Sequence, residues 1–212
     1  MSKSRSVYDS EYLDQQLLRD CAGISVFRRL SGPAVTPLLD IFNNATRGLP
    51  VISRASGTEK EHFLTLVQML EFQKNREYLG SLCIRNVMDA IYNEVPSLRK
   101  KVSVKINEDH PVKIFNSRNS IQRSISVLLD PESEAFLKAE RREVLSVIED
   151  LTCFDNKDFD WLLDPTPHVS LGKILVKEVS PERVKGVVRD IESNLPEEFT
   201  LNMATIHKGR TN

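Results

Sequence analysis

The chain has 212 residues, 40% of them hydrophobic, and its 29 basic and 30 acidic side chains leave a formal net charge of −1. That is enough chain to bury a proper core as one large domain or two small ones. No apolar run approaches the roughly 18 residues that a membrane-spanning helix needs, and a near-zero charge gives no global attraction for nucleic acid, although a local positive cleft would suffice for one.

Cys21, Cys83 and Cys153 are odd in number, widely spaced and never in a C-x-x-C pair. This argues against a disulfide framework or a zinc centre and makes them buried thiols. The segment Met1 to Tyr8 carries no apolar signal core, so a cytoplasmic protein is expected, with the nucleus as the alternative.

In chain order, residues 9–21 predict a short amphipathic helix capped by Asp9 or Ser10, with Tyr12, Leu13, Leu17 and Leu18 as its stripe. Ile24 to Leu30 reads as a strand, and a helix is expected over Pro33–Thr46, ended by Gly48-Leu49-Pro50. Val51 to Gly57 is strand or extended loop, and Glu61 to Leu70 is rich in strand formers. A helix is predicted over 76–94, closed by Pro96. Val102–Ile106 and Val112–Phe115 then flank an Asp109-His110-Pro111 turn, which predicts a hairpin.

A further strand is expected at Ile121–Leu129, then a helix over 132–150 opened by Asp130-Pro131. In that helix Glu140, Arg141, Arg142 and Glu143 form a mixed-sign cluster that reads as a solvated face. The acidic segment Asp155 to Trp161 has calcium-loop-like Asp spacing but lacks the required Gly and terminal Glu, so it reads as a solvated loop. A strand starting at His168, a helix capped by Ser180 with Pro181 at its first position, and a last strand over 199–206 complete the chain. The fold class is α+β, with two pseudo-symmetric lobes, each an antiparallel sheet with helices outside, and a cleft between them. Residues 1–50 form an added segment packed on a core domain of 51–212.

The most informative stretch is Asp164-Pro165-Thr166-Pro167-His168-Val169-Ser170-Leu171. Side chains two apart on a strand share a face, so His168 and Ser170 point together while Val169 and Leu171 enter a core. An imidazole that moves a proton beside a hydroxyl that holds an anionic oxygen is half of a site for phosphate-ester chemistry. Four histidines exist in all: His62, His110, His168 and His207. His110 sits in a turn and His207 at the end of the last strand, whereas His62 and His168 each stand at the mouth of an apolar strand in corresponding places of the two halves.

On these residues the chain resembles the two-histidine phosphoesterase superfamily, whose members carry two His-x-Ser/Thr motifs on strands of two pseudo-symmetric lobes. The likeness covers roughly residues 50–208, and within the superfamily Asp164 to Leu171 and Asn116 to Ser126 look like the RNA 3′-end trimming phosphodiesterases of spliceosomal small nuclear RNA. The resemblance implies His62 and His168 as catalytic acid and base, Ser170 and Thr65 as phosphate contacts, no metal and no cofactor; Lys173, five residues along the His168 strand and expected on the same face, is a further phosphate contact. The resemblance also implies RNA or a small nucleotide as substrate. Trp161, in a polar loop ahead of His168, is the expected base-stacking residue, and Arg123 is a further candidate for phosphate.

The first motif departs from the pattern, because His62-Phe63-Leu64-Thr65 puts leucine where the family has a hydroxyl. Either a bulge at Phe63–Leu64 returns Thr65 to the site, or His62 acts alone, or catalysis is lost. Two other readings therefore stand beside a phosphodiesterase: an inactive relative that binds a nucleotide or RNA end, and an interaction protein whose histidines are structural.

Overall fold

The computed structural model describes residues 23–53, 63–71, 84–116, 122–152, 166–175 and 179–209. The helix expected at 9–21, the start of the helix expected from 76, His62, and the acidic segment with Trp161 lie outside them.

Within these residues the strands are β1 Gly23–Leu30, β2 Val51–Ser53, β3 Phe63–Glu71, β4 Val102–Lys105, β5 Val112–Asn116, β6 Gln122–Leu128, β7 His168–Leu175 and β8 Glu198–Gly209. The helices are α1 Gly32–Ala45, α2 Ile84–Glu94, α3 Pro131–Thr152 and α4 Pro181–Glu192, with a 3-10 turn at Pro96–Arg99. Two helix starts follow from their caps. The Ser180 hydroxyl accepts from the Arg183 amide at 3.3 Å with Pro181 at the first position, and an Asp130 oxygen accepts from the Ser133 amide at 2.9 Å just before Pro131.

All eight strands join one antiparallel sheet in the order β4-β8-β1-β3-β7-β6-β5, with β2 alongside β7. This makes the architecture α+β with a curled sheet. The curl is visible where Ile106, just beyond the end strand β4, bridges Leu129, just beyond β6 near the other end, and the Asn107 amide donates to the Leu128 carbonyl at 3.1 Å. Expected hairpin partners are therefore not partners: β4 pairs with β8 and β5 with β6. The turn at Asp109–Pro111 reverses the chain, but sheet closure decides which neighbour each strand takes.

Alternate residues of the strands bury themselves under the helices: Ile24, Val26, Leu64, Ile125, Val127 and Val169 meet Leu38, Phe42, Val87, Ile91, Leu137, Val144 and Ile148. Arg28 lies on this same face, fully buried. All five of its N–H donors are used. Nε donates to Glu140 Oε2 at 2.8 Å and Nη2 to Glu140 Oε1 at 2.5 Å, while the carbonyls of Lys100, Asn202 and Ser97 each accept at 2.9 Å. A buried charge is tolerable only when it is paired and fully hydrogen-bonded.

The solvated face expected at Glu140–Glu143 is accordingly corrected for half of its residues: Arg142 and Glu143 are exposed, but Glu140 and Arg141 are each only 2% exposed. Arg141 Nε donates to the Leu66 carbonyl at 2.5 Å. Leu66 has no partner in the β1–β3 ladder, which steps from Val26↔Val67 to Phe27↔Thr65. The irregularity frees one carbonyl inside the core, and Arg141 satisfies it.

Candidate active site

The opposite face of the sheet holds the candidate residues, and its layout is set by a bulge in β7. Ser126 pairs with Ser170 but Ile125 pairs with Gly172, so Leu171 is an extra residue on β7. Leu171 and Gly172 are both buried, and the exposure of β7 alternates on either side of them. Strict alternation puts Lys173 on the face away from His168; the bulge turns it back, so His168, Ser170 and Lys173 share one side. Gly172 is required at this kink because a Cβ there would overlap the Phe42 ring of α1.

His168 is held from two directions. Its Nδ1 lies 2.8 Å from the Thr166 carbonyl. A carbonyl only accepts, so in the neutral ring Nδ1 carries the hydrogen and Nε2 is the lone-pair nitrogen. Phe115 of β5 stacks on the imidazole with centroids 4.5 Å apart and planes 27° off parallel, and Lys113 Nζ stands 5.2 Å from the Phe115 ring centre. Ser170 is positioned by Ser126, fully buried and directly opposite on β6, with the two hydroxyl oxygens 3.3 Å apart. Sequence reading offers Phe115 only as one of several aromatic residues for stacking on a base and misses its contact with His168 and the role of Ser126; the alternation of Ser124-Ile125-Ser126 is the signal that puts Ser126 on the side away from the core.

The first motif is resolved by register. Arg29↔Phe63, Arg28↔Leu64 and Phe27↔Thr65 follow one another without interruption, so there is no bulge at Phe63–Leu64. None is needed. Leu64 faces Val169, both fully buried, so the next residues along, Thr65 and His168, fall together on the other side. The structure thus brings Thr65, His168, Ser170 and Lys173 to one face. His62 and Trp161 lie outside the described residues. His110 is exposed in its turn, its amide donating to Asn107 Oδ1 at 2.8 Å. His207 stands in β8 opposite Ser25. Arg123 does not join the site, because it pairs with Ile174 and so belongs to the opposite face.

Among the described residues, the strands around the site are poor in acidic side chains. The chain has 30 acidic residues, yet β1, β5, β6 and β7 contain none, and that of β3, Glu71, is at its far end. Of the cations in these strands, Arg28 is neutralised in the core and Arg123 points away, which leaves Arg29, Lys113 and Lys173 on the site's face. Arg29 Nε is buried with no hydrogen-bond partner, and its guanidinium carbon lies 5.7 Å from the Phe27 ring centre. An unmade hydrogen bond on a buried donor costs about 1–3 kcal/mol.

No family model and no curated protein matches the chain. Solved structures do. Usb1 of Kluyveromyces marxianus superposes with a TM-score of 0.55 at 14% identity, covering 91% of this chain and 97% of that one. The same protein with uridine monophosphate gives 0.53 at 13% identity, over 90% and 96% of the two chains. LigT of Escherichia coli complexed with 3′-AMP gives 0.48 at 8% identity, over 91% and 90%. At these identities the likeness to Usb1 is one of fold, and it extends over nearly the whole length of both chains.

Proposed function

We propose that the chain is a metal-independent phosphodiesterase of the two-histidine type, acting on RNA ends, cyclic phosphates or small nucleotides. The observation that carries this reading is the cluster on one face of the curled sheet: an imidazole of fixed tautomer at His168, with the Ser170 and Thr65 hydroxyls and Lys173 on the same face and no acidic residue in β6 or β7. The Usb1-like fold supports it, since Usb1 belongs to the two-histidine phosphoesterases and one of the matching Usb1 structures holds a nucleotide.

In this mechanism one imidazole takes the proton of the attacking water or ribose hydroxyl as its oxygen bonds to phosphorus, and the other gives a proton to the departing oxygen as the old P–O bond breaks. His168 supplies one of the two. His62, two residues before Leu64, supplies the other from the chain entering β3, and Trp161 stacks on the base. Ser170 and Thr65 donate hydrogen bonds to the non-bridging oxygens, where charge builds in the transition state. The two pseudo-symmetric lobes belong to the same reading: β4-β8-β1-β3 on one side and β7-β6-β5 on the other, meeting at Leu64↔Val169.

A specific observation favours a second reading, an inactive nucleotide-binding relative. A His-x-Thr motif that ends at Thr65 begins at position 63, and that residue is phenylalanine. Hydrolysis of 2′,3′-cyclic nucleotides, 2′-5′ oligoadenylate, cyclic dinucleotides and short RNAs in EDTA separates the two. Turnover that is lost in both His168→Ala and His62→Ala supports the enzyme. Nucleotide binding without turnover supports the relative, and full activity in either mutant rejects the two-histidine assignment.

A further inference from the structure

We infer that Arg29 of β1 is a phosphate-binding residue of the same cleft, donating its guanidinium fork to the non-bridging oxygens of the bound phosphate. The inference rests on the phosphodiester reading of the His168 face and extends it to a residue that neither the motif nor the spacing indicates.

Register places Arg29 there. It pairs with Phe63, and Phe63 is next to Leu64, which faces Val169; Arg29 is therefore level with Ser170, two strands away. Neighbouring strands are about 4.8 Å apart, so the two backbones stand roughly 10 Å apart on either side of β3, within the combined reach of an extended arginine side chain and a phosphate. Arg29 and Phe27 are two apart and share the side on which Phe27 is opposite Thr65. The Phe27 ring 5.7 Å from the guanidinium carbon gives the fork a flat surface to lie against.

The state of its donors points to a ligand. Arg28, the neighbouring residue, has every N–H satisfied inside the core. Arg29 keeps a buried Nε with no acceptor on a face whose strands hold no acidic residue near it. An arginine fork matches the paired oxygens of a phosphate. Such oxygens meet the outer amino groups of the fork, and the Ser170 and Thr65 hydroxyls hold the same group from the other side.

The test compares the affinities of uridine monophosphate and adenosine monophosphate with those of uridine and adenosine, and includes inorganic phosphate, for the wild type, Arg29→Gln, Arg29→Lys and Ser170→Ala. Arg29→Gln is expected to weaken the monophosphates about 10- to 100-fold and to leave the nucleosides unchanged, with Arg29→Lys recovering part of the loss and the melting temperature unmoved. If Arg29→Gln leaves the monophosphate-to-nucleoside ratio intact while Ser170→Ala lowers it, Arg29 is not a phosphate contact and the phosphodiester site stands. If the wild type binds no phosphate-bearing probe, both are rejected.

Discussion

Arg28 and Arg29 are adjacent in one strand and live in different chemical worlds. The side chain of Arg28 points under the helices and is closed by five acceptors, two of them on a buried carboxylate. The side chain of Arg29 points into the open face and keeps a donor waiting. One side of the sheet is finished by the protein itself, and the other is left for something to complete it. The lesson is that hydrogen-bond completeness, more than charge or burial alone, separates the structural arginine from the functional one.

The largest expected effect tests this contrast directly. Arg28→Ala strands Glu140 in the core, and breaking a buried pair from one side costs about 3–5 kcal/mol; Arg29→Ala removes a buried donor whose unmade bond itself costs about 1–3 kcal/mol, so no loss of stability is expected there. Urea unfolding midpoints measure both, and equal losses would erase the distinction. On the open face the corresponding deletion is His168→Ala, expected to slow turnover by roughly 10²–10⁴-fold with the unfolding midpoint unchanged. A parallel loss of stability would mean that His168 is a packing residue.

Gly172 is where the two faces meet. Gly172→Ala forces its methyl against the Phe42 ring and should cost about 1–3 kcal/mol as an overpacked core position. Because the same residue sits in the bulge that aims Lys173, nucleotide affinity should fall too. Phe42→Leu in the Gly172→Ala background is expected to restore both. Recovery of stability without recovery of binding would separate the bulge from the site.

The smallest effect lies away from both faces. Hydrogen bonding by the Ser133 hydroxyl, with its amide second to it, holds the Asp130 carboxyl below its ordinary 3.8 against the opposing pull of burial. A carboxylate stabilised in the folded state contributes fully above its unfolded value, and the contribution is lost as pH falls through the folded one. Asp130→Ala should therefore cost about 1 kcal/mol at neutral pH. The gap to wild type should narrow below pH 3.8, as followed by urea melts across the acid range.

Where local chemistry decides, the sequence is readable. Ser180-Pro181 starts a helix, Asp130-Pro131 starts another, and His168-Val169-Ser170 declares a strand with one polar side. What escapes is set by partners far along the chain. Nothing near Val102 or Phe115 says that their strands part company, because closure of the sheet assigns their neighbours. The side of Lys173 depends on one unpaired residue, Leu171, and no local pattern marks it. Glu140 and Arg141 were legible in principle: with Leu137, Val144 and Ile148 they fall at three- and four-residue spacings on one stripe, but their charge argued for solvent. The candidate site was legible at its second motif and obscure at its first, where the face of Thr65 is fixed by Leu64 meeting Val169.

The order of the sheet also has a consequence for synthesis. β1, made first of the described strands, takes β3 on one edge and β8, made last, on the other, in a ladder that runs from Gly23↔Gly209 to Leu30↔Leu201. Arg28 likewise gathers acceptors from Ser97, Lys100, Glu140 and Asn202. A growing chain thus carries an apolar strand with one bare edge and a buried-to-be charge short of an acceptor until β8 is made. Contacts this distant in sequence make folding slow, so β1 settles into the sheet only after the strand that covers its second edge has emerged.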